Sequence, residues 1–473
     1  MSSYKYLFAL AIPLALSSCK VTKTYETPSL SQQIQDSLYR DHYVQDTANM
    51  ATLSWKTVFQ DAALQSLIEK GLANNLDIQN AVENIVQAEA LLKRSKLAFL
   101  PSLNINPTVT FNKTSVRSLN FNSQVSSMMR LKTTSYQIPL TTSWELDVWG
   151  KLASSRRAQY ASYLNTIEAR KALNTSIIRS IANNYYQLLA LDKQLRITRE
   201  TVVLREKSVK TMKALMEAGI ITGAAVVQSE ANLAAAKVSI PDLENSIRQV
   251  ENAICTLLGT PGQSITRGTL DAQAVYSGLE VGVPAQLLQY RPDVVAAELK
   301  LRQMFELTNV ARTAFYPQIG LNSGTFGVSS IDLQHLFDKS IFYSFAAGIV
   351  QPIFSKGVNK ANLEVAKSQQ CQAYLAFRKT LLTAGQEVSN AMNNYQTATA
   401  KATSRQEQIT ALTKAVEYTN KLLQYSSSTN YTDVLTSEQS LLSAQLSEVN
   451  DQLQKLQAVV DLYAALGGGA TME

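Results

Sequence analysis

Side chains that commonly perform catalysis or bind metal ions are few and scattered in this chain. The two histidines, His42 and His335, lie far apart, and no HExxH, CxxC or clustered Cys/His spacing is present to bind a metal ion. The sequence contains neither a GxxxxGK[ST] phosphate loop nor a GxSxG nucleophile turn. We therefore predict no catalytic centre, no cofactor and no metal site, which makes an enzyme the least favoured class of function.

Cys19 is the residue whose surroundings most clearly indicate a chemical modification. Lys5 precedes an apolar stretch over residues 6–16, and the tetrapeptide LSSC then ends at Cys19. This order of a basic start, a short apolar core and small residues is typical of an export signal. The stretch is too short to span a bilayer, which takes about 20 apolar residues. Because LSSC resembles a bacterial lipobox, we predict a signal peptide over 1–18 and lipidation of Cys19; an ordinary signal peptide that precedes Cys19 is the alternative.

The other two cysteines, Cys255 and Cys371, each lie in a helix-like stretch. A disulfide between them would be compatible with an oxidising compartment. The simpler interpretation is that both are small buried side chains.

Composition predicts a folded chain and gives little information about its partners. With 473 residues, 45% of them hydrophobic, the chain is long enough for more than one domain. The 44 basic and 37 acidic residues include no run of five or more like charges. No nucleic-acid partner is therefore predicted.

The sequence contains an internal duplication, which is the main indication of its architecture. The matching positions are Asp77 with Asp293, AFLP at 98–101 with AFYP at 314–317, Val226 with Val434, and Glu230 with Glu438. We predict a lipidated segment at 19–60, repeats at 61–260 and 285–466, a linker at 261–284 and a tail at 467–473.

Both repeats predict the same order of elements. In the first, residues 64–97 have apolar residues at helical spacing and end before Pro101, which cannot continue the helix. Polar and apolar residues then alternate, as expected of strands with two different faces. The alternating segments are 101–112 and 135–149 in the first repeat and 317–330 and 342–354 in the second. Each repeat therefore contributes one β-hairpin, which gives four strands per chain.

Each hairpin is followed by a long helical segment. Residues 153–216 contain no proline or glycine, and a helix of that length extends about 90 Å. Residues 360–423 are similar and are interrupted only by Gly385. Turns at 218–223 and 426–430 then lead into returning helices, so we predict paired coiled-coil helices.

Four strands cannot close a barrel, and open strand edges are not tolerated in lipid. Known outer-membrane barrels begin at about eight strands, and three copies of this chain would supply about twelve, enough for an aqueous lumen. A lipid-tethered periplasmic coiled-coil scaffold without a pore is the alternative from another functional class.

Six motifs occur in order along the chain: WxxxFxD at 55–61, NNLDI at 74–78, AFLP at 98–101, WELDVWGK at 144–151, ENAICTLLG at 251–259 and YRPDVVAAE at 290–298. With these motifs the chain resembles the TolC-like outer-membrane efflux family, and within it the NodT-type lipoproteins. The resemblance implies a mainly α fold with a small β part. It also implies a homotrimer with a twelve-stranded barrel in the outer membrane that continues into a long periplasmic α-helical barrel.

The functional expectations come from the same resemblance. It implies a passive exit duct for small toxic compounds or drugs, which docks onto a periplasmic adaptor protein and an inner-membrane RND-type pump. A duct for protein or polysaccharide secretion is the alternative within transport. Outer-membrane lipid is the remaining expected partner.

The resemblance also assigns residues to a gate at the periplasmic turns. Asp433 aligns with acidic residues that face the pore, so three copies would form a ring of carboxylates. A helix-capping or first-turn acid would explain an aspartate there equally well. The equivalent position in the first repeat is Ala225. The residues expected at the turns and in adaptor contact are Gly219, Gly223, Ser427, Thr429 and Tyr431.

Three further residues have structural interpretations. Trp144 and Trp149 fit either an aromatic girdle at the lipid boundary or packing at the base of the hairpin. Pro292 is expected at the first position of a helix.

Overall fold

A computed structural model describes residues 21–28, 38, 50–115, 132–276, 290–425 and 431–470. Helices predominate in these ranges. The α-helices are α1 (Trp55–Val58), α2 (Ala62–Asn74), α3 (Leu76–Leu97), α4 (Lys151–Glu217), α5 (Gly223–Leu257), α6 (Pro292–Thr313), α7 (Val358–Tyr425) and α8 (Tyr431–Ala465). The strands are β1 (Ser102–Ile105), β2 (Thr108–Lys113), β3 (Lys132–Leu146), β4 (Gln318–Ser330) and β5 (Ile341–Val350). Short 3₁₀ turns lie at Met50–Thr52, Leu270–Ala272 and Leu333–His335.

The strands form one antiparallel sheet that is four strands wide. β1 and β2 follow each other along the same edge of β3, and β3 pairs with β4, which pairs with β5. The first strand is divided at residues 106–107 because Pro107 has no N–H for the ladder. The register nevertheless continues, with Ile105 opposite Leu140 and Thr108 opposite Gln137. Among the described residues, all four segments predicted to be strands are strands, and the first of them is divided into β1 and β2.

The helix predicted over 64–97 is wrong in one respect, because two helices occupy this segment. Asn75 separates α2 from α3, and its side chain is buried. Its Oδ1 accepts hydrogen bonds from the N–H groups of Asp77 and Ile78, at 2.9 and 3.1 Å, and so caps α3. Its amide Nδ2 donates to the carbonyl oxygen of Leu257 at 2.9 Å. A contact 182 residues away in sequence therefore favours the break.

The long helices agree with the prediction to within a few residues. α4 has 67 residues and α7 has 68. α7 continues through Gly385, where an added Cβ would overlap the backbone of Leu38. α5 continues through Pro241, although proline removes a backbone hydrogen bond.

The chain forms two compact units, each built from segments of both halves of the sequence. One contains the described residues of Val86–Leu164 and Glu298–Leu375, which include the sheet, together with residues 21–27. The other contains Asn165–Ala297 and Ala376–Glu473, with α1 and α2. The repeat boundaries stay a prediction.

In the first unit, the N-terminal segment 21–27 is fixed to α6. The buried amide of Asn309 accepts a hydrogen bond from the Lys23 N–H at 3.1 Å and donates one to the Lys23 carbonyl oxygen at 2.9 Å. The ring of Tyr25 packs edge-on against Phe305, with centroids 5.5 Å apart. The Thr27 hydroxyl donates to Glu298 at 2.8 Å.

In the second unit, polar contacts join the long helices along their length. Arg179, Gln194 and Arg205 of α4 bind successively earlier residues of α8, so these two helices are antiparallel. The partners are Asp461, Asn450 and Gln439. α4 pairs in the same sense with α5 through Arg199 and Glu244, and α7 with α8 through Arg405 and Asp451.

Asp61 holds three parts of the second unit together. It caps α2 by accepting a hydrogen bond from the Ala63 N–H at 2.8 Å. Its other carboxylate oxygen accepts from the Tyr185 hydroxyl and the Gln273 amide, both at 2.7 Å. Burial alone would raise the pKa of Asp61, but these hydrogen bonds hold it below its usual range.

We expect Asp61→Ala to lower the free energy of unfolding by about 2–4 kcal/mol, because a helix cap and two hydrogen bonds to a charged group are lost. The folded-state pKa lies below the unfolded one. The stabilisation is therefore present above the unfolded pKa, near pH 4, and is lost as the pH falls through the folded value. Denaturant unfolding at pH 7 and pH 3 measures this effect, and an equal loss at both pH values would contradict it.

Candidate functional site

The turn between α4 and α5 is a tight, exposed loop. Gly219 has a φ of 72°, a left-handed conformation that favours glycine, and no atom lies within 4 Å of where its Cβ would be. The Gly219 and Ile220 N–H groups donate to the carbonyl oxygens of Met216 and Leu215, both at 2.9 Å. These bonds satisfy the end of α4, and α5 then begins at Gly223.

An apolar cluster lies beneath the turns and receives one side chain from each of the four long helices. Met212 of α4, Val226 of α5, Leu423 of α7 and Val434 of α8 are all buried in it. Leu215, Ile221 and Tyr431 pack against the cluster. The aligned residues Val226 and Val434 therefore meet in one core, which holds the turn ends together through apolar burial.

Asp433 lies in the first turn of α8 and is exposed, while its neighbour Val434 is fully buried. An acid in the first turn is itself favourable beside the positive end of the helix dipole. The aligned Ala225 is fully buried, so the first repeat presents no equivalent group. Tyr431 begins α8 and packs on the apolar cluster. Cys19, Ser427 and Thr429 lie outside the described residues.

The sheet has one apolar and one polar face. Because side chains alternate along a strand, the register assigns each residue to a face. The apolar face carries Ile105, Phe111, Leu140, Phe326, Tyr343 and Phe345. The opposite face carries Asn104, Thr110, Gln137, Thr141, Thr325 and Ser344. Tyr343 and Phe345 are 73% and 64% exposed, so the part of the chain that the structure describes leaves this apolar face uncovered.

Both tryptophans hydrogen-bond the backbone at the base of the sheet. The Trp144 Nε1–H donates to the Phe99 carbonyl oxygen at 2.8 Å, and the Trp149 Nε1–H donates to Pro317 at 2.6 Å. The Trp149 ring also packs against Tyr316, with centroids 5.2 Å apart. Packing at the hairpin base is therefore observed for Trp149, whereas Trp144 is 41% exposed and is held there by its hydrogen bond.

Other expectations from sequence have mixed outcomes. α6 begins at Pro292, as predicted. Cys255 is buried, but Cys371 is exposed, so its interpretation as a buried side chain is wrong. Both thiols are free. Within the described ranges, His, Cys, Asp and Glu form no group of three or more that could hold a metal ion. None of the described helices is long and apolar enough to cross a membrane.

The internal repeat aligns Glu438 with Glu230, but the sequence alone does not show that the two carboxylates have different surroundings. Glu230 is exposed and forms an ion pair with Lys213 at 2.8 Å. Glu438 lies between helices, where it accepts a hydrogen bond from the Ser208 hydroxyl at 3.1 Å. Burial raises the pKa of Glu438, and the Ser208, Arg205 and Asn420 side chains oppose that shift. Only packing distinguishes two positions that the repeat makes equivalent.

Comparison with known proteins assigns these features to one class. The profile of the outer membrane efflux protein family matches residues 67–260 and again 283–468. The chain is 28% identical to the cation efflux system protein CusC of Escherichia coli O6:H1, over 98% of both chains. It is also 28% identical to the toluene efflux pump outer membrane protein TtgC of Pseudomonas putida, over 98% of this chain and 96% of TtgC.

Structural comparison agrees. The chain superposes on the open state of the MtrE outer membrane channel of Neisseria gonorrhoeae with a TM-score of 0.81 and 28% identity. The similarity covers 96% of this chain and 99% of MtrE.

Proposed function

Because the chain belongs to the outer membrane efflux protein family, we propose that it is the passive exit duct of a tripartite efflux pump. It is an outer-membrane channel protein that extends into the periplasm. No chemical step is assigned to the chain, since the family is one of transport proteins.

The amphipathic sheet with two unpaired edges is the observation that carries this proposal. Among the described strands, β5 and the β1/β2 edge each have a partner on one side only. In a bilayer such edges must be paired, so β5 of one copy would pair with β1/β2 of the next. Three copies would close a barrel of about twelve strands. The apolar face would then contact lipid, and the polar face would line an aqueous lumen.

The native mass of the full-length protein, extracted from outer membranes in detergent, tests this assembly. We expect a trimer that resists dissociation, because each sheet edge would be paired along its whole length. A trimer would also be expected to conduct ions in planar bilayers. A stable monomer would leave the edges open and would favour the lipid-tethered scaffold instead.

We assign the gate to the turn ends of the long helices. Packed helices shift as units, so small changes in the packing of α7 and α8 would widen or narrow the opening. We propose that Asp433, which is exposed at the start of α8, forms a ring of three carboxylates around the axis of the trimer. Such a ring attracts cations into the opening.

Asp433→Ala would remove all three carboxylates of the ring. We expect it to weaken the block of the isolated channel by divalent cations at least about fivefold, which is the effect of losing a single solvent-screened contact between unit charges. Single-channel recording across a Mg²⁺ titration measures the block. Glu230→Ala removes an exposed acid from the other helix pair and should leave the block unchanged. Unchanged block in Asp433→Ala would remove this residue from the gate.

The partners follow from the same assignment. The turns, with Gly219, Gly223, Ser427, Thr429 and Tyr431, would contact a periplasmic adaptor, which in turn binds an inner-membrane RND-type pump. Lipidation of Cys19 would add an anchor in the outer membrane. A single acyl chain binds membranes only marginally, so the barrel and the lipid would act together.

The cargo class is small toxic compounds or drugs. One relative is named for cations and another for toluene, although the chain is 28% identical to both. The overall sequence identity between two channels therefore does not indicate which cargo they carry. We assign the selection of cargo to the pump.

A further inference from the structure

A cavity of about 290 Å³ lies in the second unit, between α4, α7 and α8. Its volume is close to the lower end of the range for small-molecule sites, about 300–1,000 Å³. Much of the wall is apolar. The apolar lining residues include Leu204, Met212, Val416, Leu423, Leu441 and Leu442.

Glu438 supplies the less exposed of the two carboxylates that line this cavity, the other being that of Glu200. Its Oε1 accepts the hydrogen bond from Ser208, whereas its Oε2 is buried and has no hydrogen-bond partner among the residues that the structure describes. The nearby Asn420 amide donates to the Val416 carbonyl oxygen at 2.9 Å. A buried hydrogen-bond acceptor without a donor destabilises the protein. The cavity therefore favours a ligand that can donate a hydrogen bond to Glu438 Oε2.

Arg205, whose charge opposes the rise in the pKa of Glu438, does not supply this donor. The buried guanidinium of Arg205 donates to the Asn232 carbonyl oxygen and to Gln439 Oε1, both at 2.6 Å. Within the described part of the chain, it forms no ion pair with Glu438. The other charged groups that line the cavity are Glu200 and Lys207. With two acids and two bases, the lining carries no net charge when Glu438 is ionised.

The chemistry of a complementary ligand follows from these features. A charged N–H donor forms the strongest hydrogen bond to a carboxylate, and apolar walls favour a hydrocarbon body. A bare metal ion is less suited, because the described residues here form no group of three or more His, Cys, Asp or Glu side chains that could hold one. We propose that this cavity binds a primary ammonium ion carrying a short alkyl or aryl group, with its N–H donating to Glu438 Oε2.

Two physical consequences follow from a ligand at this position. It would contact three helices at once and would raise the thermal stability of their present arrangement. The ammonium ion binds the ionised carboxylate, so its affinity falls as the pH is lowered through the pKa of Glu438. The site needs no adaptor, no pump and no conduction, so its test is independent of the channel function.

Calorimetric titration of the full-length protein in detergent with n-hexylammonium chloride tests the proposal, with titration into detergent alone subtracted. We expect saturable binding at one site per chain and weaker binding of 1-hexanol, which lacks the charge. Glu438→Gln should weaken binding of the ammonium ion at least about tenfold, as expected for a hydrogen bond to a charged group. It should also abolish the preference for the ammonium ion over the alcohol.

Two further variants locate the site. Glu230→Gln changes the aligned, exposed carboxylate and should leave both affinities unchanged. Val416→Phe fills the cavity without altering Glu438 and should abolish binding of both probes. Equal affinities of the wild-type protein for hexylammonium and hexanol would overturn the proposal without any variant. No saturable binding of hexylammonium, or undiminished binding by Glu438→Gln, would also overturn it.

Discussion

Phe345→Arg will prevent stable insertion of the protein into the outer membrane. Phe345 lies in the middle of β5, on the apolar face of the sheet, and is 64% exposed in the chain. An arginine on the lipid face near the bilayer midplane costs about 2–4 kcal/mol in a membrane barrel. In a trimer that cost would arise once in each chain.

The adjacent residue provides the matched control. Ser344 is also exposed, but the register places it on the polar face, opposite Thr325. Ser344→Arg should therefore insert and form trimers, with changes confined to ion conduction. The fraction of each variant recovered as a trimer from purified outer membranes measures the difference. Equal recovery of the two variants would show that the two faces are not distinguished by lipid.

Arg291→Ala will lower the free energy of unfolding by about 3 kcal/mol, because the buried guanidinium loses charge-assisted hydrogen bonds to two partly exposed carboxylates and one to a buried carbonyl oxygen. The Arg291 side chain is 8% exposed, and its guanidinium binds Asp293 and Glu387, both at 2.6 Å. It also donates to the Ala465 carbonyl oxygen at 3.0 Å, which fixes the end of α8 beside the start of α6.

Denaturant unfolding in detergent measures this loss. Arg291→Lys keeps the charge but not the planar fork, so it should recover only part of the stability. Lys56→Ala breaks an exposed ion pair with Glu69 and should cost at most about 1 kcal/mol. A cost for Arg291→Ala as small as that of Lys56→Ala would refute a structural role for Arg291 and its three contacts.

Features with local causes could be predicted from sequence. Pro101 ends the first helical segment, and the alternation after it gives the strands, because each depends on neighbouring residues only. The absence of breakers in 153–216 gives the long helix α4. The pairing of β3 with β4 joins two hairpins that are far apart in sequence, and no residue near either strand specifies that partner.

Features decided by packing could not be predicted in this way. Asn75 breaks a helix in part because Leu257 accepts its amide hydrogen bond, and nothing near residue 75 specifies that contact. Cys371 lies in a helix with an exposed side chain, although cysteine is usually buried. For the candidate gate, the repeat identified Asp433 and Ala225 as equivalent, but only the packing shows one exposed and the other buried.

The hydrogen bonds between Asn309 and Lys23 limit where a lipid on Cys19 can be. Lys23 is the fourth residue after Cys19, so even a fully extended chain reaches only about 14 Å from α6. An acyl group on Cys19 would therefore be attached through a short linker and not through a long flexible one. Its length would limit how far this unit can lie from the membrane surface. Inserting residues within 20–22 would relax that limit and would leave the strands of the barrel unchanged.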